Sequence, residues 1–521
     1  MLHYLDKKYT LLFLLTCFAL HSIAQTPSRL DRKLFNRADK LFYIAEYYKA
    51  MSIYDSLYVV DSTNHELNYK LGLCKFELKK YRKSSLRNFE KVSTLSFPET
   101  NFYLGVLNHA NKKYKTAIDY FNEYKNLKLS NLEHDVTEID ALIEKCYTAR
   151  LFDLQQNSNI TLENLGAAIN TDEPEYAPFI PADEKFLIFT SRNKNKYHTL
   201  KDAYDTYYED VFVSKNMNGV WGNATPLDTL INTQVHDASA GLSANGEKMI
   251  LFRTSSDLMS GDIYESNWIN NEWSEPVSLG YLINTFDHIE SSACYSPDGN
   301  TIIFSSNKPG GIGGFDLYAS KKGTNGSWSY PDNLGSTINT EYNEDSPFID
   351  PLGKTLYFSS EGHTNMGGYD VFKVPYSDNV KFNTKPENLG TPINTVNDDI
   401  FFVINANGSK GYIASERDGG FGSQDIYSIN FKNTESKLKA YNIHALDSTN
   451  TIVNNVQITI TEKGKKAEKS IFKSNTSTGK VLLLCNPTQK FDVAIESYGL
   501  KTIVLDDYNF GTETDINFIF K

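Results

Sequence analysis

Five aspartates at a near-constant interval constrain this chain most. Asp210 in "DVF", Asp262 in "DIY", Asp316 in "DLY", Asp370 in "DVF" and Asp425 in "DIY" stand 52, 54, 54 and 55 residues apart. An interval of this length implies one supersecondary unit copied along the chain. Each aspartate follows an apolar run that ends in small or hydroxylated residues: "FLIFTS", "MILFRT", "TIIFSS", "TLYFSS" and "GYIAS". A polar, often glycine-rich turn separates run from aspartate, and "IN" recurs upstream at Ile169, Ile231, Ile283, Ile338 and Ile393. In the third copy "SPDGNTIIF" (Ser296–Phe304) reads as a tight turn joining two strands. About four short strands per copy is the signature of a propeller blade. The runs are apolar on consecutive residues, which suits sheets buried on both faces. No "LGxxIN" follows the last unit, whereas "NLGAAINT" (Asn164–Thr171) precedes the first run. The strand near Leu165 is therefore expected to complete the last unit, closing a five-bladed ring over 160–431 and removing exposed edges.

The pattern "PDG…FSS…GGxDLY" resembles the TolB-type propeller repeat. That resemblance implies an architectural role for Asp210, Asp262, Asp316, Asp370 and Asp425, which would bind backbone within each blade rather than act as catalytic carboxylates.

Other segments flank the repeats. Over 30–150, Gly72 and Gly105 are 33 residues apart, and the small residues Ala50, Ser84 and Ala117 are 34 and 33 apart. Tyrosines precede the second helix of each pair, as in "KKYRKSSLRNF" and "KKYKTAIDYF". This period resembles tetratricopeptide repeats, although the motif Trp is absent and the first copy has Ala38 in place of Gly. Such arrays usually bind peptide or protein on a concave face. Residues 436–521 alternate in short strands, with a turn Gly479 and a late "YG", and resemble the carboxypeptidase regulatory-like β-sandwich. The expected fold class is thus multidomain α+β: tetratricopeptide-like helices, a five-bladed propeller and a small β-sandwich.

The N-terminus reads as a signal peptide over 1–24, with Lys7 and Lys8 before "LLFLLTCFAL" and small residues in "SIAQ". Cys17 lies inside the apolar run after Thr16, which does not fit a lipobox. No later stretch is long and apolar enough to span a membrane. Cys74, Cys146, Cys294 and Cys485 sit far apart in apolar contexts, and buried free thiols are expected. A net charge of -12 argues against nucleic acid as partner.

Five residues after each repeat Asn stand Glu175, Asp237, Glu344 and Asp399, with Glu290 one position later in the third copy. If first strands line a central channel, these acids could ring its mouth and attract a cation or a basic peptide. The alternative is that they hydrogen-bond turn amides. His236 and His288 occupy equivalent positions in adjacent copies, which raises a metal site. An insertion in the first copy carries Tyr197, Tyr204, Tyr207 and Tyr208, a composition common in partner contacts. "GLSANG" misses the nucleophile-elbow spacing by one residue, and "GGIGG" lies between strands rather than before a helix. Neither a catalytic residue nor a cofactor is expected.

Taken in order, the segments resemble the Bacteroidetes PorE/OmpA-family periplasmic proteins. The resemblance implies a non-enzymatic periplasmic scaffold at the outer membrane, binding outer-membrane or secretion-system proteins. Those relatives usually continue into an OmpA-like domain, which is not seen before Lys521, so peptidoglycan binding does not carry over. The alternative is a ligand- or carbohydrate-binding propeller with hydrolase activity.

Overall fold

The computed structural model describes residues 31–127, 134–196, 199, 201, 202, 204–432, 438–463, 469–474 and 479–521. The expected signal peptide, Cys17 and Tyr197 lie outside the described residues.

Among the described residues, seven α-helices come first: α1 (Arg32–Tyr43), α2 (Tyr47–Val60), α3 (His65–Glu77), α4 (Arg82–Phe89), α5 (Thr100–Ala110), α6 (Tyr114–Lys125) and α7 (Val136–Leu154). Asp31, Asn64 and Asp135 cap α1, α3 and α7 by accepting from first-turn amides. Each helix packs on the next. The glycines explain how close they come: a Cβ on Gly72 would lie 2.9 Å from the Phe89 ring, and one on Gly105 would lie 2.5 Å from Phe121. The small residue one turn before each ring is Ala50, Ser85 or Ala117, all buried. Ser84, expected in that place, is exposed and donates to the Tyr81 carbonyl. The helical copies are therefore less evenly spaced than their sequence pattern implied. No described helix is long and apolar enough to cross a membrane.

Residues 160–431 form five antiparallel sheets. Their innermost strands are Glu175–Phe179, Asp237–Leu242, Glu290–Tyr295, Glu344–Ile349 and Asp399–Ile404. Each inner strand contacts the next, and the fifth contacts the first, giving a propeller-like arrangement. Four sheets are built from consecutive strands. The fifth takes its outer strand from the other end of the segment, where Ile160–Asn164 pairs antiparallel with Asp425–Phe431. The "IN" motif is a turn, not a strand. The outer strand ends at Asn164, Asn333 or Asn388, and "LGxxIN" curls back from it toward the next inner strand. Gly166, Gly335 and Gly390 take positive φ there, which glycine adopts without penalty.

Each turn Asn clamps the strand beside it. Asn232, Asn284, Asn339 and Asn394 accept from the backbone N–H, and donate to the C=O, of Val211, Ile263, Leu317 and Val371 respectively. These clamps span 21–23 residues. Asn170 makes the same pair of bonds to Ile426 across 256 residues. The clamped residue is always the one after a motif aspartate.

Beyond the ring, a three-stranded sheet centred on Lys439–Leu446 faces a four-stranded sheet centred on Val456–Glu462 and Phe491–Ser497. Tyr441, Ile458, Leu483 and Val493 fill the space between them. This sandwich meets the ring through Ala182, Ala406, Ala440 and Leu484, and through Asn442 Nδ2 donating to Asp183 at 2.9 Å. Cys74, Cys146, Cys294 and Cys485 are buried free thiols, each pushed up to about 12 by burial.

Asn170→Ala leaves the Ile426 N–H without its partner and its C=O with the Leu165 amide alone, at about 1–3 kcal/mol for the buried N–H. Calorimetry should show a fall in Tm at least as large as that of Asn339→Ala, whose clamp is local. An unchanged Tm would show that the joining of the two ends contributes nothing.

Candidate functional site

The five motif aspartates are built into the scaffold. Asp425 accepts from the amides of Phe421 and Gly422 at 2.6 and 2.8 Å, and from Asn164 Nδ2 at 2.6 Å. Asp316 receives Ile312, Gly313 and Asn333, and Asp370 receives Met366 and Asn388. In the first copy, Asn195 of the insertion donates to Asp210. In the second, Ser278 stands where the last three copies have Asn, and Asp262 is only half-buried.

The five expected mouth acids do not form an open ring. Glu175, Asp237, Glu290, Glu344 and Asp399 are all fully buried. Each accepts from the amide of the threonine after the turn Asn: Thr171, Thr233, Thr285, Thr340 and Thr395. The opposite strand supplies Ser191, Ser306, Ser360 or Ser415 as a second donor, while Arg253 and Arg417 pair with Asp237 and Asp399. Their oxygens are spent inside the sheet, so the alternative in which they bind turn amides describes them. Burial pushes Glu175 and Glu290 up to about 7.

Tyr204, Tyr207 and Tyr208 of the insertion are half-buried. Tyr204 packs beside Tyr47 of α2 with ring centroids 6.3 Å apart. Tyr207 lies under the Lys201 ammonium, and Tyr208 lies 4.5 Å from the His236 ring. His236 accepts from the Glu209 amide at 3.2 Å. No group of three or more potential metal ligands occurs among the described residues, and His236 and His288 are not brought into one.

The helices gather a different set of residues. They lie over the face where the inner strands begin. Met366 and Val396 of the ring share a core with Phe102, Ile139 and Ala149 of the helices. Phe152 of α7 packs where a Cβ on Gly390 would project. At the end of α3, Lys79 Nζ donates to Asp398 at 3.2 Å and to Glu416 at 2.6 Å. Lys80 approaches Glu173 at 3.5 Å, Lys83 pairs with Asp418, and Lys145 donates to the Gly367 carbonyl at 2.8 Å. Asp398 immediately precedes one buried acid, Asp399, and Glu416 follows the serine that binds it. Their side chains keep 26% and 17% exposure, so solvent reaches both beneath the helices.

Asp398 and Glu416 differ in acidity. Burial pushes Asp398 up, but the Lys79 ammonium and the Tyr369 amide hold it below the usual carboxylate range. Burial leaves Glu416 raised despite Lys79, and Asp398 adds to that rise. Glu361, which accepts from Asn343 at 2.5 Å, is also raised by burial. Two carboxylates displaced in opposite directions are the arrangement that general acid–base chemistry uses. At the far end of the inner strands, Ile180, Leu242, Cys294, Phe348 and Ile404 line a cavity of about 20 Å³, enough for one water.

No family model matches the sequence, and no curated protein matches it either. Among solved structures, the chain is similar to Kuenenia stuttgartiensis hydrazine synthase, with 9% identity and TM-score 0.32, over 66% of this chain and 62% of that one. The chain therefore spans less than two thirds of that protein. It is similar to the α-L-arabinofuranosidase from Lactobacillus brevis, with 12% identity and TM-score 0.31, over 51% of this chain and 91% of that one. For the β-propeller domain of the Trilobed protease from Pyrococcus furiosus the figures are 7% and 0.26, over 65% and 85%. Because similar structures are mostly those of enzymes, the expectation that this chain is not an enzyme is withdrawn.

The buried acids set a pH dependence. Between the ordinary glutamate range and about 7, the unfolded chain is ionised at Glu290 while the folded chain keeps its proton. Folding takes up a proton in that window, so this group's contribution is full below it, declines as pH rises through it, and is lost above about 7. Glu290→Gln should therefore gain Tm relative to the parent as pH moves from 5 to 8. A constant offset between the two melting curves would contradict the assignment.

Proposed function

We propose that the chain is an exported five-bladed propeller protein that binds its ligand on the face where the inner strands begin, beneath the helices. The observation that carries this reading is the Asp398–Lys79–Glu416 arrangement. Two solvent-reached carboxylates of unlike acidity are held by one lysine on a face that a second segment overhangs. With Lys79 displaced, Asp398 keeps the Tyr369 amide whereas Glu416 loses its ammonium donor, so Asp398 would serve as the ionised base and Glu416 as the protonated acid of a hydrolytic pair. Binding and hydrolysis are thus two uses of one site.

The resemblance to PorE/OmpA-family proteins supports placing the protein in the periplasm, peripherally at the outer membrane. A second reading, in which the tetratricopeptide-like helices hold an outer-membrane or secretion-system protein, is favoured by one feature. Tyr147, Leu151 and Leu154 of α7 are exposed at helical spacing, at 51%, 52% and 79%.

Binding of envelope oligosaccharides and peptides should be compared in the parent and in an Asp398→Asn/Glu416→Gln variant. At least a tenfold loss of affinity for any bound member is expected, with any hydrolysis of it abolished and Tm nearly unchanged. Retained affinity and turnover would place the site elsewhere.

A further inference from the structure

The face that would take a ligand is already occupied by part of the chain itself. The turn after α3 and the first residues of α4 read Lys79-Lys80-Tyr81-Arg82-Lys83, and four of these five residues are cationic. Three of these lysines meet an acid of the ring. Lys79 meets Asp398 and Glu416, Lys80 meets Glu173, with Asp172 4.0 Å away, and Lys83 meets Asp418. The acids come from loops 93 to 337 residues away in sequence, so the ring presents an arc and the turn fits along it. The fit is incomplete. Glu173 is 5% exposed, and its Oε2 has no hydrogen-bond partner, while Oε1 is 3.5 Å from Lys80. A buried carboxylate oxygen without a donor is costly, and an additional N–H would relieve it. Tyr369, whose amide binds Asp398, also keeps a buried hydroxyl without a partner.

We propose that this acidic arc is a binding surface for a lysine- and arginine-rich peptide segment, and that the Lys79–Lys83 turn occupies it in cis as a competing stand-in. The inference rests on the ligand face proposed above and specifies its ligand class. The turn gains from being tethered, because a tether replaces free concentration with a high effective one. Its individual contacts are weak, since Lys79, Lys80 and Lys83 remain 47%, 41% and 61% exposed. A basic segment with better-placed donors could therefore displace it, lifting this end of the helices and opening Asp398 and Glu416.

The probe is a fluorescently labelled synthetic peptide of residues 78–84, LKKYRKS. Its affinity is measured for the full chain, for Lys79→Ala/Lys80→Ala/Lys83→Ala, and for that variant carrying Asp398→Asn and Glu416→Gln. The lysine variant should bind at least tenfold tighter than the parent. Added salt should weaken that binding, and the two acid substitutions should remove it. A LAAYAAS control should not bind. If the triple variant melts far below the parent, Lys79→Ala alone replaces it, since Lys79 meets both acids. No gain in affinity, or a gain that survives the acid substitutions, overturns the proposal. If the peptide fails while another ligand still depends on Asp398 and Glu416, only the ligand class falls. If nothing bound depends on them, the proposed ligand face falls as well.

Discussion

The ring depends on a two-handed hydrogen bond from a turn asparagine. The amide side chain of Asn339 satisfies both backbone groups of Leu317, and its four counterparts do the same on their own strands. Buried backbone groups must be paired somewhere, and an asparagine offers an NH2 donor group and a carbonyl acceptor on a single plane. Once the asparagine is placed, the following threonine is placed too, and its amide meets the buried acid that starts the next inner strand. The residue before the clamped one is the motif aspartate, which gathers the amides of the preceding turn. Clamp, threonine box and aspartate knot therefore form one unit. The fifth copy of that unit joins residues at opposite ends of the ring through Asn164–Asp425 and Asn170–Ile426.

Such a unit separates scaffold from site. Positions that repeat among copies are consumed by it, which is why the acids at Glu175, Asp237, Glu290, Glu344 and Asp399 have no oxygen left for a ligand. Freedom lies at the neighbouring positions, where the copies differ. Just before the buried acid stand Pro174, His236, Ile289, Asn343 and Asp398, and just after the second strand stand Arg192, Asn307, Glu361 and Glu416. Only around the fourth and fifth sheets do these positions supply several carboxylates, and there the helices bring Lys79 and Lys145.

The period, the strand runs and the joining of the ends were legible because each is written locally and repeated. The helical period was legible to within a residue: Ser84 stood in for Ser85 because neighbouring serines give a small-residue pattern no means of choosing. Burial of the aromatic one turn later, Phe89, makes the choice. The "IN" pair lies in a turn although isoleucine favours strands, because Asn339 needs a turn to direct its side chain back at Leu317. The site itself was not legible. Lys79 and its two acids are 319 and 337 residues apart, and nothing in either stretch marks the other. Divergence between copies beside an otherwise constant motif was the available signal.

The contacts over the ring also differ in strength along the helices. At one end, Met366 and Val396 are buried with the apolar residues of the last three helices, and burial of that kind contributes about 1.5–3 kcal/mol for each large side chain. At the other, the helices meet the ring mainly through half-exposed lysines and the Tyr47–Tyr204 contact. Exposed ion pairs are worth about 0–1 kcal/mol each. An apolar anchor beside a weak ionic edge makes motion unequal: α7 stays with the ring, and the α1–α4 end is the part that can lift. That end carries Lys79. In the proposed displacement of Lys79, the carboxylates would become available by tilting an array still anchored through Met366 and Val396 rather than by releasing it.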